Sequence, residues 1–85
     1  MREFSYTITD TLGIHARPAG MLVEEAGKFR SSITIEKSGK SADVKRLFAL
    51  MGMGVKAGET VSLKIEGSDE NEAASAIEEF FKTHL

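Results

Sequence analysis

The sequence predicts an α+β domain, a single sheet of strands covered on one face by helices. Apolar residues alternate with period two at Phe4, Tyr6 and Ile8, at Ile33 and Ile35, and at Val61, Leu63 and Ile65. That spacing marks strands with one buried side. They recur every 3.6 residues at Ala19, Leu22, Val23 and Ala26, and again at Ala73, Ile77 and Phe80, which marks helices with one buried stripe. The two patterns interleave as strand, helix, strand, strand, helix, strand, helix. No repeat, linker or low-complexity segment interrupts them.

The first strand is predicted over 3–9, with Ser5, Thr7 and Thr9 on its polar side. Asp10 to Gly13 carries turn-forming residues. A helix is predicted from Pro18 to about Lys28, since proline suits a first helical turn, where its missing N–H has no intrahelical use. Ile33 and Ile35 belong to a second strand. Ser38-Gly39 then gives a two-residue hairpin loop into a short third strand, about 40–44. Leu47 to Met51 is a short helix stopped by Gly52 and Gly54. Lys56 to Glu59 turns the chain into the fourth strand. Ser68-Asp69-Glu70-Asn71-Glu72 offers capping residues and first-turn acids to the last helix.

Composition excludes whole classes of function. At 85 residues the chain is expected to be one domain, 1–85, too small for an interdomain cleft. It has no cysteine, and its two histidines lie far apart, so thiol chemistry is excluded and neither a metal nor any other cofactor is expected. A net charge of −2 gives no basic excess for nucleic acid. The longest apolar run is five residues, Leu47 to Met51, so membrane insertion is not expected either. The expected product is soluble and cytoplasmic.

Three weak signals fail on context. Gly52-Met53-Gly54-Val55-Lys56-Ala57 matches a loose dinucleotide pattern, but a helix precedes it and a strand follows, the reverse of what binding needs. Glu78 and Glu79 read as solvated helix carboxylates. His84 reads as part of a frayed end.

The strong signal is Gly13-Ile14-His15-Ala16-Arg17-Pro18-Ala19-Gly20. It sets a histidine and an arginine where a helix begins, and a helix N-terminus presents unpaired N–H groups and partial positive charge to an anion. Arg17 can hold phosphate in bidentate fashion. The same positive field favours a neutral imidazole, a nucleophile aimed at an anion pocket, as phosphoryl transfer requires. The plain alternative is a surface histidine and arginine without a task. The second feature is Leu47-Phe48-Ala49-Leu50-Met51. So short a helix cannot bury an apolar surface all round, so some of Leu47, Phe48 and Met51 should face water as a docking patch. The alternative is a lid wholly given to the core.

These residues resemble HPr, the histidine phosphocarrier family of the bacterial phosphoenolpyruvate–sugar phosphotransferase system. The likeness rests on Gly13 to Ala19, the Gly39-Lys40 hairpin, the segment from Lys45 to Gly54, and Gly67-x-Asp69-Glu70, and it spans essentially the whole chain. The resemblance implies an open-faced β-sandwich, β-α-β-β-α-β-α, with four antiparallel strands in the order 1-4-2-3 and three helices on one face. It implies that His15 takes a phosphoryl group on Nδ1 from phosphorylated enzyme I and passes it to the IIA domain of a sugar permease. Arg17 and the N–H groups of Ala16 and Arg17 would hold the phosphate. Gly20, Met21, Leu47, Phe48 and Met51 would form the partner-docking surface of a monomeric carrier with no turnover of its own.

One position departs from many relatives. Arg46 stands where a regulatory serine, the target of an ATP-dependent kinase, is common, and an arginine can be neither phosphorylated by a serine kinase nor imitate phosphoserine. It also removes a good N-cap from the short helix. Ser38 and Ser41 are not in the matching position. Two other readings compete with the carrier. One is a regulatory module that senses the state of His15, such as a nitrogen-branch paralogue, with Glu24 and Gly27 tuning the choice of partner. The other is a small phosphoesterase, for which Asp10 is the only acid near His15 in sequence.

Overall fold

In the computed structural model, which describes residues 1–85, the elements follow the predicted order. They are β1 (Arg2–Thr7), α1 (Ala16–Ala26), β2 (Ser32–Lys37), β3 (Lys40–Asp43), α2 (Leu47–Gly52), β4 (Thr60–Glu66) and α3 (Glu70–His84). The four strands form one antiparallel sheet in the order β1-β4-β2-β3. Ser38 and Gly39 both have positive φ, 51° and 82°, the paired left-handed geometry that lets a two-residue turn match strand twist.

The period-two pattern sets the layers. In β4, Val61, Leu63 and Ile65 are buried, with Ile33 and Ile35 paired beside them at Ile65 and Leu63. Onto this face the helices lay Ala19, Leu22 and Ala26 of α1, Leu50 of α2, and Ala73, Ile77, Phe80 and Phe81 of α3. Phe81 is the hub, meeting Phe4 and Tyr6 edge-on at 6.2 and 5.6 Å. The opposite sheet face is polar: the Thr7 and Thr60 hydroxyls meet at 2.8 Å across the β1–β4 pair, with Ser5 opposite Ser62. The sheet is thus open on one side.

Helix α1 starts two residues before Pro18, at Ala16, and ends at Ala26 rather than Lys28. Proline fits because every N–H of the first turn lacks an intrahelical acceptor, not the first alone. Asp69 is the N-cap residue of α3 but does not cap it by side chain. Its carboxylate reaches across to the α1–β2 connection, accepting the Ser31 hydroxyl at 2.5 Å and the N–H groups of Arg30 and Ser31 at 2.8 and 2.9 Å. These bonds, led by that from the Ser31 hydroxyl, lower its pKa to about 2.

The sequence predicted a frayed end at His84, and the structure corrects this. His84 closes the helix with its ring against Phe80, 4.5 Å between centroids, and Leu85 is buried. The Leu85 carbonyl accepts the N–H groups of Thr9 and Asp10, at 2.6 and 2.8 Å, and the Thr9 hydroxyl at 3.0 Å. Local sequence carries no sign of this, because the donors lie some 75 residues away along the chain.

Candidate functional site

Two pinned segments meet at the start of α1. The loop from Asp10 to Ile14 is closed by the Gly13 N–H, which donates to the Asp10 carbonyl at 3.0 Å, and is tied to the α2–β4 connection by the Ile14 N–H on the Val55 carbonyl, also 3.0 Å. Gly13 has φ +68°, and a Cβ there would overlap the Val55 carbonyl and Lys56 backbone, so only glycine fits this crossing. On the facing loop, the Glu59 carboxylate accepts the Lys56 N–H at 2.6 Å and the Lys37 ammonium at 3.1 Å, which hold its pKa below the usual range.

His15 follows as the N-cap of α1, in extended backbone, with its ring 37% exposed and engaged in no capping bond. The imidazole is therefore not committed to capping the helix. The first helical bond runs from the Ala19 N–H to the His15 carbonyl at 2.9 Å. Pro18 has no N–H, so the unpaired donors of this terminus are those of Ala16 and Arg17. Arg17 is exposed and joins none of the ion pairs, leaving its guanidinium available to an anion. The ring of His15 presents Nε2 to the Asp10 carboxylate at 3.9 Å, longer than a hydrogen bond but close enough for charge to matter. Asp10, His15, Arg17, Pro18, Met21 and His84 line one shallow groove of about 310 Å³. The arrangement combines an accessible ring nitrogen, a cation and two amides, which suits reversible attachment of a phosphoryl group.

Residues 2–83 match the family model described as the PTS HPr component phosphorylation site. The chain belongs to the HPr family. It is 40% identical over 79 residues to the phosphocarrier protein HPr of Mycoplasma capricolum, covering 93% of this chain and 89% of that one. A crystal structure of HPr from Thermoanaerobacter tengcongensis superposes with TM-score 0.93 at 38% identity, covering 98% of this chain and 93% of the other. A dimer form of HPr from the same organism gives 0.78 at 38% identity, covering 98% and 95%. The HPr membership makes this chain a phosphocarrier component of the phosphotransferase system, and the sheet order and helix placement are those of HPr structures.

On this HPr fold the predicted docking residues fall on two packed helices, α1 and α2. Gly20 is half-buried, with no atom near enough to crowd a Cβ, and Met21 is exposed. In α2, Phe48 is 87% exposed and Met51 is also exposed, while Leu47 is half-buried against the core and Leu50 fully buried. The short helix therefore divides its apolar residues between core and solvent. Arg46 is its N-cap residue and makes no side-chain capping bond.

One groove residue gave no sign of its place in the sequence: His84 looked terminal and untethered, but the bonds from Thr9 and Asp10 to Leu85 and the packing on Phe80 hold it at the groove that His15 also lines. Outside the groove lining, Leu12 is 70% exposed in the turn that precedes His15, and it had a visible sign, an apolar residue among turn formers. No group of three or more metal-ligating side chains assembles anywhere in the fold, and no helix is long and apolar enough to cross a membrane.

Proposed function

We propose that His15 is the phosphoryl acceptor, taking the group from phosphorylated enzyme I and passing it to the IIA domain of a sugar permease. The observation that carries this reading is the uncapped, accessible imidazole of His15 beside the free amides of Ala16 and Arg17 and the unpaired guanidinium of Arg17. In the transfer, a lone pair of His15 forms a P–N bond while the donor's bond to phosphorus breaks, its electron pair returning to the donor. The reverse sequence delivers the group to the acceptor. Arg17 and the two amides bind the phosphoryl oxygens, and Ala16 contributes only its backbone.

Gly20, Met21, Leu47, Phe48 and Met51 dock donor and acceptor in turn on the same face, which fits a monomeric cytoplasmic carrier rather than an enzyme with its own turnover. With Arg46 in place of serine, phosphorylation by a serine kinase has no target there.

Phosphoenolpyruvate with enzyme I should add one acid-labile phosphoryl group to the wild type and none to His15→Ala. Uptake by the variant would move the acceptor elsewhere.

A further inference from the structure

We propose that Asp10 is a positioning residue that selects which nitrogen of His15 takes the phosphoryl group. The inference rests on the carrier reading above and adds a residue to it. The Asp10 carboxylate lies 3.9 Å from Nε2 of His15, and it is not free to swing away. The same oxygen accepts the Leu12 N–H at 2.8 Å. The Asp10 N–H is held at 2.8 Å by the Leu85 carbonyl, and the Asp10 carbonyl is held by the Gly13 N–H at 3.0 Å. Side chain, amide and carbonyl are all fixed, so the negative charge occupies a set place beside one edge of the ring.

A neutral imidazole carries one N–H, on either nitrogen. With the proton on Nε2, a donor faces the carboxylate; with the proton on Nδ1, a lone pair faces it. The carboxylate therefore favours the tautomer whose free lone pair is on Nδ1. It acts again after transfer. A ring that bears the phosphoryl group on Nδ1 and a proton on Nε2 is formally positive, and its proton-bearing edge is the one turned to Asp10. Attachment at Nε2 would instead bring the phosphoryl oxygens against a carboxylate, where like charges repel. No proton need leave the ring in the favoured route: Nδ1 gains phosphorus, Nε2 keeps its hydrogen, and the electron pair of the broken bond stays with the donor. Among the side chains that line the groove, Asp10 carries the single carboxylate.

The test uses the full chain with nitrogen-15 in its histidines. At alkaline pH the His15 ring shifts should report Nε2–H as the dominant tautomer. Asp10→Asn and Asp10→Ser, which keep a side-chain oxygen for the Leu12 N–H, should move the tautomer ratio toward Nδ1–H by about tenfold. They should slow phosphoryl uptake from phosphorylated enzyme I by a similar factor, with unfolding midpoints near wild type. Phosphorus-31 spectra should show only Nδ1 attachment in wild type and a fraction of Nε2 attachment in the variants. Unchanged ratios in both variants would overturn the role of Asp10, even where wild type is phosphorylated normally. Failure of wild type to accept the group would sink the carrier reading instead, and the tautomer ratios would still decide the Asp10–His15 relation.

Discussion

The Asp69 carboxylate accepts both the hydroxyl and the backbone N–H of Ser31, at 2.5 and 2.9 Å. It joins the start of α3 to the connection between α1 and β2, and Ser31 is the one polar side chain in the buried set.

A pH dependence follows from this pair. The Asp69 carboxyl is lowered from 3.8 to about 2, so its contribution is fully present above pH 4 and is lost as pH falls toward 2. Asp69→Asn should lower the urea midpoint at pH 7 and flatten its fall between pH 4 and 2. Equal pH slopes for wild type and variant would show that Asp69 is not the linked group.

At the loop crossing, Gly13→Ala meets both a left-handed backbone and the Val55 carbonyl. Gly54 has nearly the same φ, +62°, with nothing within 4 Å of an added Cβ. Gly54→Ala should therefore cost only the conformational penalty, about 1 kcal/mol. Gly13→Ala should cost about 2–3 kcal/mol and slow phosphorylation as the His15 loop shifts. Chemical denaturation of both variants checks the contrast; equal losses would remove the crossing from the explanation.

Phe48 and Leu50 face solvent and core respectively from one short helix. Phe48→Asp should leave stability within about 0.5 kcal/mol of wild type while slowing transfer from enzyme I about tenfold or more. Leu50→Ala, at a fully buried site, should cost about 2–5 kcal/mol. Transfer kinetics and melting curves on the same samples read both effects. A melting loss at Phe48 as large as that at Leu50 would assign Phe48 to the core.

Arg46 occupies a capping position without capping. Arg46→Ser should stabilise the fold by about 0.5–2 kcal/mol by giving the first turn of α2 a side-chain acceptor. Guanidinium unfolding measures it, and an unchanged midpoint would mean that water already serves those amides equally well.

Much of this could be read before folding was considered. Alternation at Val61, Leu63 and Ile65 defined a strand and its buried face, and the stripe Ala73, Ile77, Phe80 defined α3, because side-chain period is a local consequence of backbone geometry. The placement of His15 and Arg17 at a helix start was legible from Pro18, whose missing N–H suits a first turn. The rest depends on residues distant in the chain. That Leu85 holds Thr9 and Asp10, that Asp69 turns from its own helix to Ser31, and that His84 borders the His15 groove are tertiary facts, and no local periodicity encodes them. The exposure of Phe48 lay between these cases: helix length required some apolar side chain to face water, but packing decided which.

The carbonyl of Leu85 gives the site one further property. The loop bearing Asp10 belongs to the first strand's exit, yet its anchor belongs to the last turn of the last helix. The place of Asp10 beside His15 thus depends on the docking of α3: a molecule whose α3 has detached loses the bonds that hold the Asp10 loop. On the proposed carrier reading, a partner that engages the His15 ring would meet the intended geometry only in copies whose α3 is docked, so the first loop and the last helix report on each other.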